Sequence, residues 1–177
     1  MKYKDALTTS MTLLGQVDNT IFLGQSIVYP GHTMFHTLRG VPLEKKIEMP
    51  VAEELQMGIS AGLALEGYLP ISIFPRMDFL MCCMNQLVNH LDKIEQMSCG
   101  QYRPKVIIRT SIGSVSPLNP GPQHCQDHIG TLRKALKNIP VWACKSSQGV
   151  LLNYEVAMKY EGSVVLVEYT DLYEEES

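Results

Sequence analysis

Six short apolar runs punctuate the chain, and longer stretches with helical spacing separate them. The runs are TIFLG (20–24), KIEM (46–49), LPISIF (69–74), KVIIR (105–109), PVWAC (140–144) and SVVLVEY (163–169). Most are almost continuously apolar, which is the pattern of strands covered on both faces. KIEM is the shortest and least apolar. Helical periodicity marks 3–16, 52–66, 77–97, 127–137 and 146–160, and Ser146 or Ser147 offers the last an N-cap. Strands alternating with helices predict one α/β domain over residues 1–177. Its three layers are an open, mostly parallel six-stranded sheet with helices on both faces.

Ligands on such sheets lie beyond the carboxyl ends of the strands. Two connections are long enough to serve there, GQSIVYPGHTMFHTLRGVPLE (24–44) and TSIGSVSPLNPGPQHCQ (110–126).

Composition narrows the classes. The chain is 45% hydrophobic and 19% charged, enough for a sizeable core and against disorder. A net charge of −3 without a Lys/Arg cluster argues against nucleic acid as a partner. The longest apolar patch, FLMCCM (79–84), is too short to span a membrane, and the start MKYKDALTTSMTLLGQ is not a signal peptide. Five cysteines, an odd number without CxxC spacing, read as free thiols of a cytoplasmic protein. The acidic end DLYEEES reads as a solvated tail.

No dinucleotide fingerprint, Walker A sequence or GDG-type diphosphate loop is present, so the chain lacks an evident phosphate cradle of its own. His124, Cys125 and His128 in QHCQDHIG have metal-like spacing, but the Pro/Gly-rich setting supplies no further ligands, and His32 and His36 have less support still. No metal site is expected. Glu53 and Glu54 open a helix followed by Gly58, Ala61 and Gly62. Acids at a helix start commonly serve the dipole and nothing more. Gly58 and Gly62, four apart, fall on one face and admit a close backbone neighbour.

These residues also carry a family pattern. EMPVAEELQMGISAGLALEGYLPI (48–71) has an acid in a P-[IV]-[SA]-E turn, a Gly/Ala-rich helix, and G-x-x-P entering a strand. DFLMCCMNQLVNHLDKIEQMSCGQ (78–101) is similar to a helix ending QIVNxAAKxxxMSGG. KVIIRTSIG (105–113) and GPQHCQ (121–126) look like the next strand and a QHSQ loop. Together they resemble the pyrimidine-binding domain of thiamine-diphosphate enzymes. The nearest likeness is to the beta subunit of the 2-oxo acid dehydrogenase decarboxylating component, with transketolase more distant. The resemblance runs from about residue 5 to 170.

The resemblance implies a split enzyme with thiamine diphosphate as cofactor, and magnesium bound mainly by a partner. The partner would be a diphosphate-binding alpha-type subunit in a two-plus-two heterotetramer. The substrate would be a small 2-oxo acid or ketose phosphate, cleaved next to a carbonyl by decarboxylation or ketol transfer. Glu53 would hydrogen-bond the aminopyrimidine and favour the tautomer that deprotonates the thiazolium carbon, while Glu54 stays structural. His124 would transfer a proton to, or hydrogen-bond, the substrate. Phe74, Met77 and Phe79 mark the segment that contacts the pyrimidine.

Three departures qualify this. The further C-terminal transketolase-type domain of the beta subunits is not expected here. FPRMDF (74–79) puts Arg76 and Met77 where aromatic contact is usual, and MSCG replaces a glycine pair. The alternative is a non-catalytic regulatory or interaction subunit that keeps the fold.

Overall fold

A computed structural model describes residues 1–116 and 119–173. Six parallel strands form one sheet: β1 (Thr20–Gly24), β2 (Lys46–Glu48), β3 (Leu69–Phe74), β4 (Ile107–Ile112), β5 (Val141–Ala143) and β6 (Val164–Tyr169), in the order β2-β1-β3-β4-β6-β5. All five pairings are parallel, so the expected mostly parallel sheet is wholly so. Each central strand feeds two cores. Val164 and Leu166 face one side of the sheet, Val165 and Val167 the other. That explains why these strands are apolar without alternation.

On the first face lie α1 (Tyr3–Gly15) and α6 (Ser147–Lys159). Tyr3, Leu7, Met11 and Leu14 of α1 share a core with Val150, Tyr154 and Ala157 of α6. The Ser146 side chain caps α6 by accepting from the Gly149 N–H at 3.0 Å. The second face carries α2 (Glu53–Leu65), α3 (Met77–Leu80), α4 (Ile94–Met97) and α5 (Ile129–Ala135). Helix α2 is fixed to the sheet by polar contacts as well as by Met57 and Ala61. Buried Gln56 donates to Ser72 Oγ (3.1 Å) and the Ile73 carbonyl (3.0 Å), and Ser60 Oγ bonds Ser72 Oγ at 3.0 Å. A buried network of this kind fixes both register and height.

Several expectations are corrected. The continuous helix over 77–97 is broken: α3 passes into a 3-10 turn (Met81–Cys83), a π-helical stretch (Asn85–Leu91) and then α4. The wider π turns leave Leu87 and Leu91 in the core while Asn85 and Gln86 reach Glu54 at 2.9 and 3.4 Å. Asp92, next in line, is buried and accepts the backbone N–H groups of Lys137, Asn138 and Ile139, which ends α5 early. Strand β4 runs on to Ile112 instead of stopping at Arg109. The start of DLYEEES is no tail: Tyr173 is buried, and Asp171 Oδ1 accepts from the Val115 N–H at 3.0 Å. Residues 174–177 lie outside the described residues.

Candidate functional site

A cavity of about 590 Å³ opens beyond the carboxyl ends of β1, β3, β4 and β6. The loop after β1 forms one wall. The Glu48 carboxylate anchors it by accepting from the Ser26, Ile27 and Val28 N–H groups (2.5, 2.9 and 3.1 Å). Gln25 then turns its side chain outward, and its Nε2 donates to Glu53 Oε1 at 3.1 Å. Glu53 is half-buried at the first position of α2, and its Oε2 has no hydrogen-bond partner among the described residues. The exposed Glu54 faces away, toward Asn85 and Gln86, whose amides hold its carboxyl below the usual range. The two adjacent acids therefore occupy different environments: one beside the cavity wall, the other on the surface of the π stretch.

His32 lines the same wall. Its Nε2 donates to the Gln25 carbonyl at 2.8 Å, which leaves Nδ1 as an acceptor, buried and without a partner. Burial lowers its pKa, and this favours the neutral ring.

The opposite wall includes Gly113, Ser114 and Ser116 after β4, and His124, Gln126 and His128 are seated on residues 76–79. Arg76 Nη1 donates to the Gly113 and His124 carbonyls (2.7 and 2.8 Å). Met77 Sδ receives the His128 N–H at 3.2 Å, and Asp78 Oδ1 accepts from Gln126 Nε2 at 2.7 Å. The Phe79 and His124 rings meet edge to face, centroids 5.6 Å apart. Gly113 has φ +88°, and a Cβ there would sit 2.8 Å from Asp171 Oδ2, so this turn requires glycine.

Of the residues singled out in the sequence, Glu53, Phe79 and His124 stand at the cavity or against residues that line it. Phe74 and Met77, expected at the cofactor, are instead 1% and 0% exposed in the core beneath α2 and α3 and present no surface to the cavity. The side chain of Phe74 belongs to the face of β3 that α2 covers, and Met77 is turned under the loop by its contact with His128. His124 and His128 are held apart by different partners, Phe79 and Asp78. Gln25 went unread, and His32 and Arg76 were noted only as a weak metal candidate and as a departure from the aromatic pattern, because each gains its place at the cavity from contacts distant in sequence.

The floor is a buried ionic cluster. Arg109 on β4 donates through Nε (2.6 Å) and Nη2 (2.9 Å) to Glu168 on β6, and Nη2 also reaches Thr37 Oγ1 at 2.8 Å. Tyr154 and Tyr173 both donate to Glu168, and Tyr173 lines the cavity.

The family described as transketolase, pyrimidine binding domain matches residues 1–175. The chloroplastic pyruvate dehydrogenase E1 component subunit beta-3 of Oryza sativa subsp. japonica is 28% identical over 130 residues, 72% of this chain and 32% of that protein. The pyruvate dehydrogenase E1 component subunit beta of Gracilaria tenuistipitata var. liui is 25% identical over 179 residues, 96% of this chain and 53% of that one. The chain thus spans between a third and about half the length of these relatives. A solved structure titled split gene transketolase, inactive beta4 tetramer, superimposes with a TM-score of 0.72 at 17% identity, covering 96% of this chain and 51% of that one. At that identity the likeness shows the fold alone.

Proposed function

The chain belongs to the transketolase pyrimidine-binding domain family, and from that premise we propose that it is the pyrimidine-side, beta-type subunit of a split thiamine-diphosphate enzyme. The reaction would cleave a bond next to a carbonyl in a 2-oxo acid or a ketose phosphate. The observation that carries this reading is Glu53, half-buried at the start of α2, held on one oxygen by Gln25 and unpartnered on the other. A carboxyl so placed suits a ring nitrogen of an aminopyrimidine. Bound thiamine diphosphate would supply the nucleophilic carbon. Glu53 would hold and exchange a proton at its Oε2, Gln25 would fix the rotamer of that carboxyl, and Phe79 would offer an apolar edge. His124, seated on Phe79, would serve the substrate side of the cavity as hydrogen-bond partner or proton carrier.

A partner subunit would provide the diphosphate and magnesium side. Among the described residues no three His, Cys, Asp or Glu side chains converge as metal ligands. The face of α2 suits such a partner. Leu55, Ile59 and Leu65 are exposed, and a Cβ on Gly62 would meet nothing within 4 Å in this chain. A close, two-fold-related seam there supports two copies of each subunit.

The test compares Glu53→Gln with Glu54→Gln in the assembled pair, reading deuterium exchange at the thiazolium carbon of added cofactor. Gln keeps the size but cannot exchange a proton near neutrality. Glu53→Gln should slow exchange by at least about 100-fold, the low end for a lost acid–base group, and Glu54→Gln should leave it near normal. Equal behaviour of the two variants would return Glu53 to a helix-start acid.

A further inference from the structure

Arg76 carries a charge that pairs with no carboxylate among the described residues. Its Nη1 is spent on two carbonyls, those of Gly113 and His124. The guanidinium is half-buried, lines the cavity, and is held rigid by those bonds. An arginine fixed at one nitrogen still presents the rest of its fork, the geometry that suits a carboxylate or phosphate.

The other groups on the cavity wall are of a different kind. Thr33, Ser114 and Thr170 bring hydroxyls, and His32 brings a bare acceptor at Nδ1. Asp171 also lines the cavity, but one of its oxygens is committed to the Val115 N–H and the other lies against Gly113. One fixed cation therefore shares the cavity with hydroxyls, an imidazole acceptor and one carboxylate whose Oδ1 is engaged by a backbone N–H.

We infer that Arg76 receives the oxyanion of the ligand that occupies this cavity, while His32 Nδ1 accepts a hydrogen bond from a hydroxyl elsewhere on the same molecule. The inference deepens the function proposed above, since it names what the substrate side of that cleft reads. Carboxylate and phosphate share the chemistry that Arg76 recognises.

The purified chain is titrated without cofactor, following the Arg76 Nε–H and the backbone amides of Gly113 and Thr170 by NMR. The probes are glycerol 3-phosphate, glycerate, inorganic phosphate and neutral glycerol. The two hydroxylated anions should shift these signals, and the tighter of them identifies the oxyanion. Inorganic phosphate should bind more weakly than glycerol 3-phosphate, and glycerol should do nothing. Arg76→Gln removes the charge and ends two bonds short of Nη1, so the loop amides should shift in the unliganded chain and anion affinity should fall at least tenfold. Arg76→Lys should retain most of the response. The inference is overturned if Arg76→Gln binds as wild type does, if no anion shifts these signals, or if the shifts fall on another surface such as Arg39 and Lys46. Because neither cofactor nor turnover is read, a failed Glu53 exchange test would remove the enzymatic reading and leave this result standing, and the converse also holds.

Discussion

Replacing Glu168 by Gln, a change of one group on a buried carboxylate, should be strongly destabilising. Three side chains converge on the carboxylate: Arg109 through two nitrogens at 2.6 and 2.9 Å, Tyr154 at 2.6 Å, and Tyr173. Arg109 and Glu168 are 0% exposed, so water cannot replace a lost contact. The amide keeps one acceptor oxygen and puts an NH₂ where donors already point. It also leaves the guanidinium without a counter-charge. Breaking a buried ion pair on one side costs about 3–5 kcal/mol, against a total stability of about 5–15 kcal/mol for a domain. At roughly 2–4 °C per kcal/mol for a chain of this size, the midpoint should fall by about 6–20 °C. Thermal and urea unfolding of the purified chain, followed by circular dichroism, measure this. A second variant, Arg109→Met with Glu168→Leu, removes both charges and should recover part of the loss, because the penalty lies in the orphaned charge. A Glu168→Gln chain within about 1 kcal/mol of wild type would refute the view that this cluster holds the cavity floor.

The same cluster predicts alkaline behaviour. Burial first, and then the Glu168 carboxylate, hold the phenols of Tyr3, Tyr154 and Tyr173 above their ordinary value. The unfolded chain sheds those protons near pH 10 while the folded chain keeps them. The contribution is therefore complete below that pH and declines as pH rises beyond it, by up to about 1.4 kcal/mol per pH unit for each tyrosine. Of the eight tyrosines, these three should ionise only as the chain unfolds, and reversible titration of all eight in the folded state would contradict this. Gly62→Ala should stabilise the isolated chain by up to about 1 kcal/mol, since a helix-interior glycine is replaced where no neighbour is met. The same change should weaken assembly with the partner, and a partner affinity left intact by mass photometry would place the seam elsewhere. His124→Ala should lower turnover of the assembled enzyme by about 100-fold or more with cofactor affinity nearly kept, and an unchanged rate would make His124 a plain loop residue.

How much of this was readable depended on whether a residue's partner is near it in sequence. The sheet was legible because both faces of each strand are covered and the runs are apolar throughout. KVIIR seemed to end at its arginine, since a charge closes an apolar run. The strand continues because that arginine finds Glu168, 59 positions away, on the neighbouring strand. Tyr173 was assigned to an acidic tail for the same reason. The broken helix over 77–97 shows a different limit: its apolar spacing is helical throughout, and nothing local announces the π turns that bring Asp92 under α5. At the site, the family pattern pointed to Glu53 and His124, and the fold sets each against residues that line the cavity, Glu53 on Gln25 and His124 on Arg76 and Phe79. It could not separate Phe79, which lines the cavity, from Phe74 and Met77, which lie in the core, because strand and helix phase decide that and the motif does not carry phase.

The two sides of the cavity are held by separate hydrogen bonds, and this bears on how such a chain can change. Glu53 is placed by α2, which Gln56 and Ser60 fix to Ser72 in the sheet, and its carboxyl is set by Gln25. His124 is placed by four consecutive residues, Arg76 to Phe79, each touching a different part of its loop. No hydrogen bond in one support belongs to the other. Substitutions of Arg76, Asp78 or Phe79 should therefore move the His124 side of the cavity while leaving the hydrogen bonds of α2 in place, whereas Met77 packs in one core with Met57 and Ala61 of α2. The FPRMDF segment, where the chain departs from the usual aromatic pattern, is the segment that seats this loop. The acid at the start of α2 and the loop that carries His124 thus meet the cavity through separate hydrogen bonds, Gln25 to Glu53 on one side and Arg76 to the His124 carbonyl on the other.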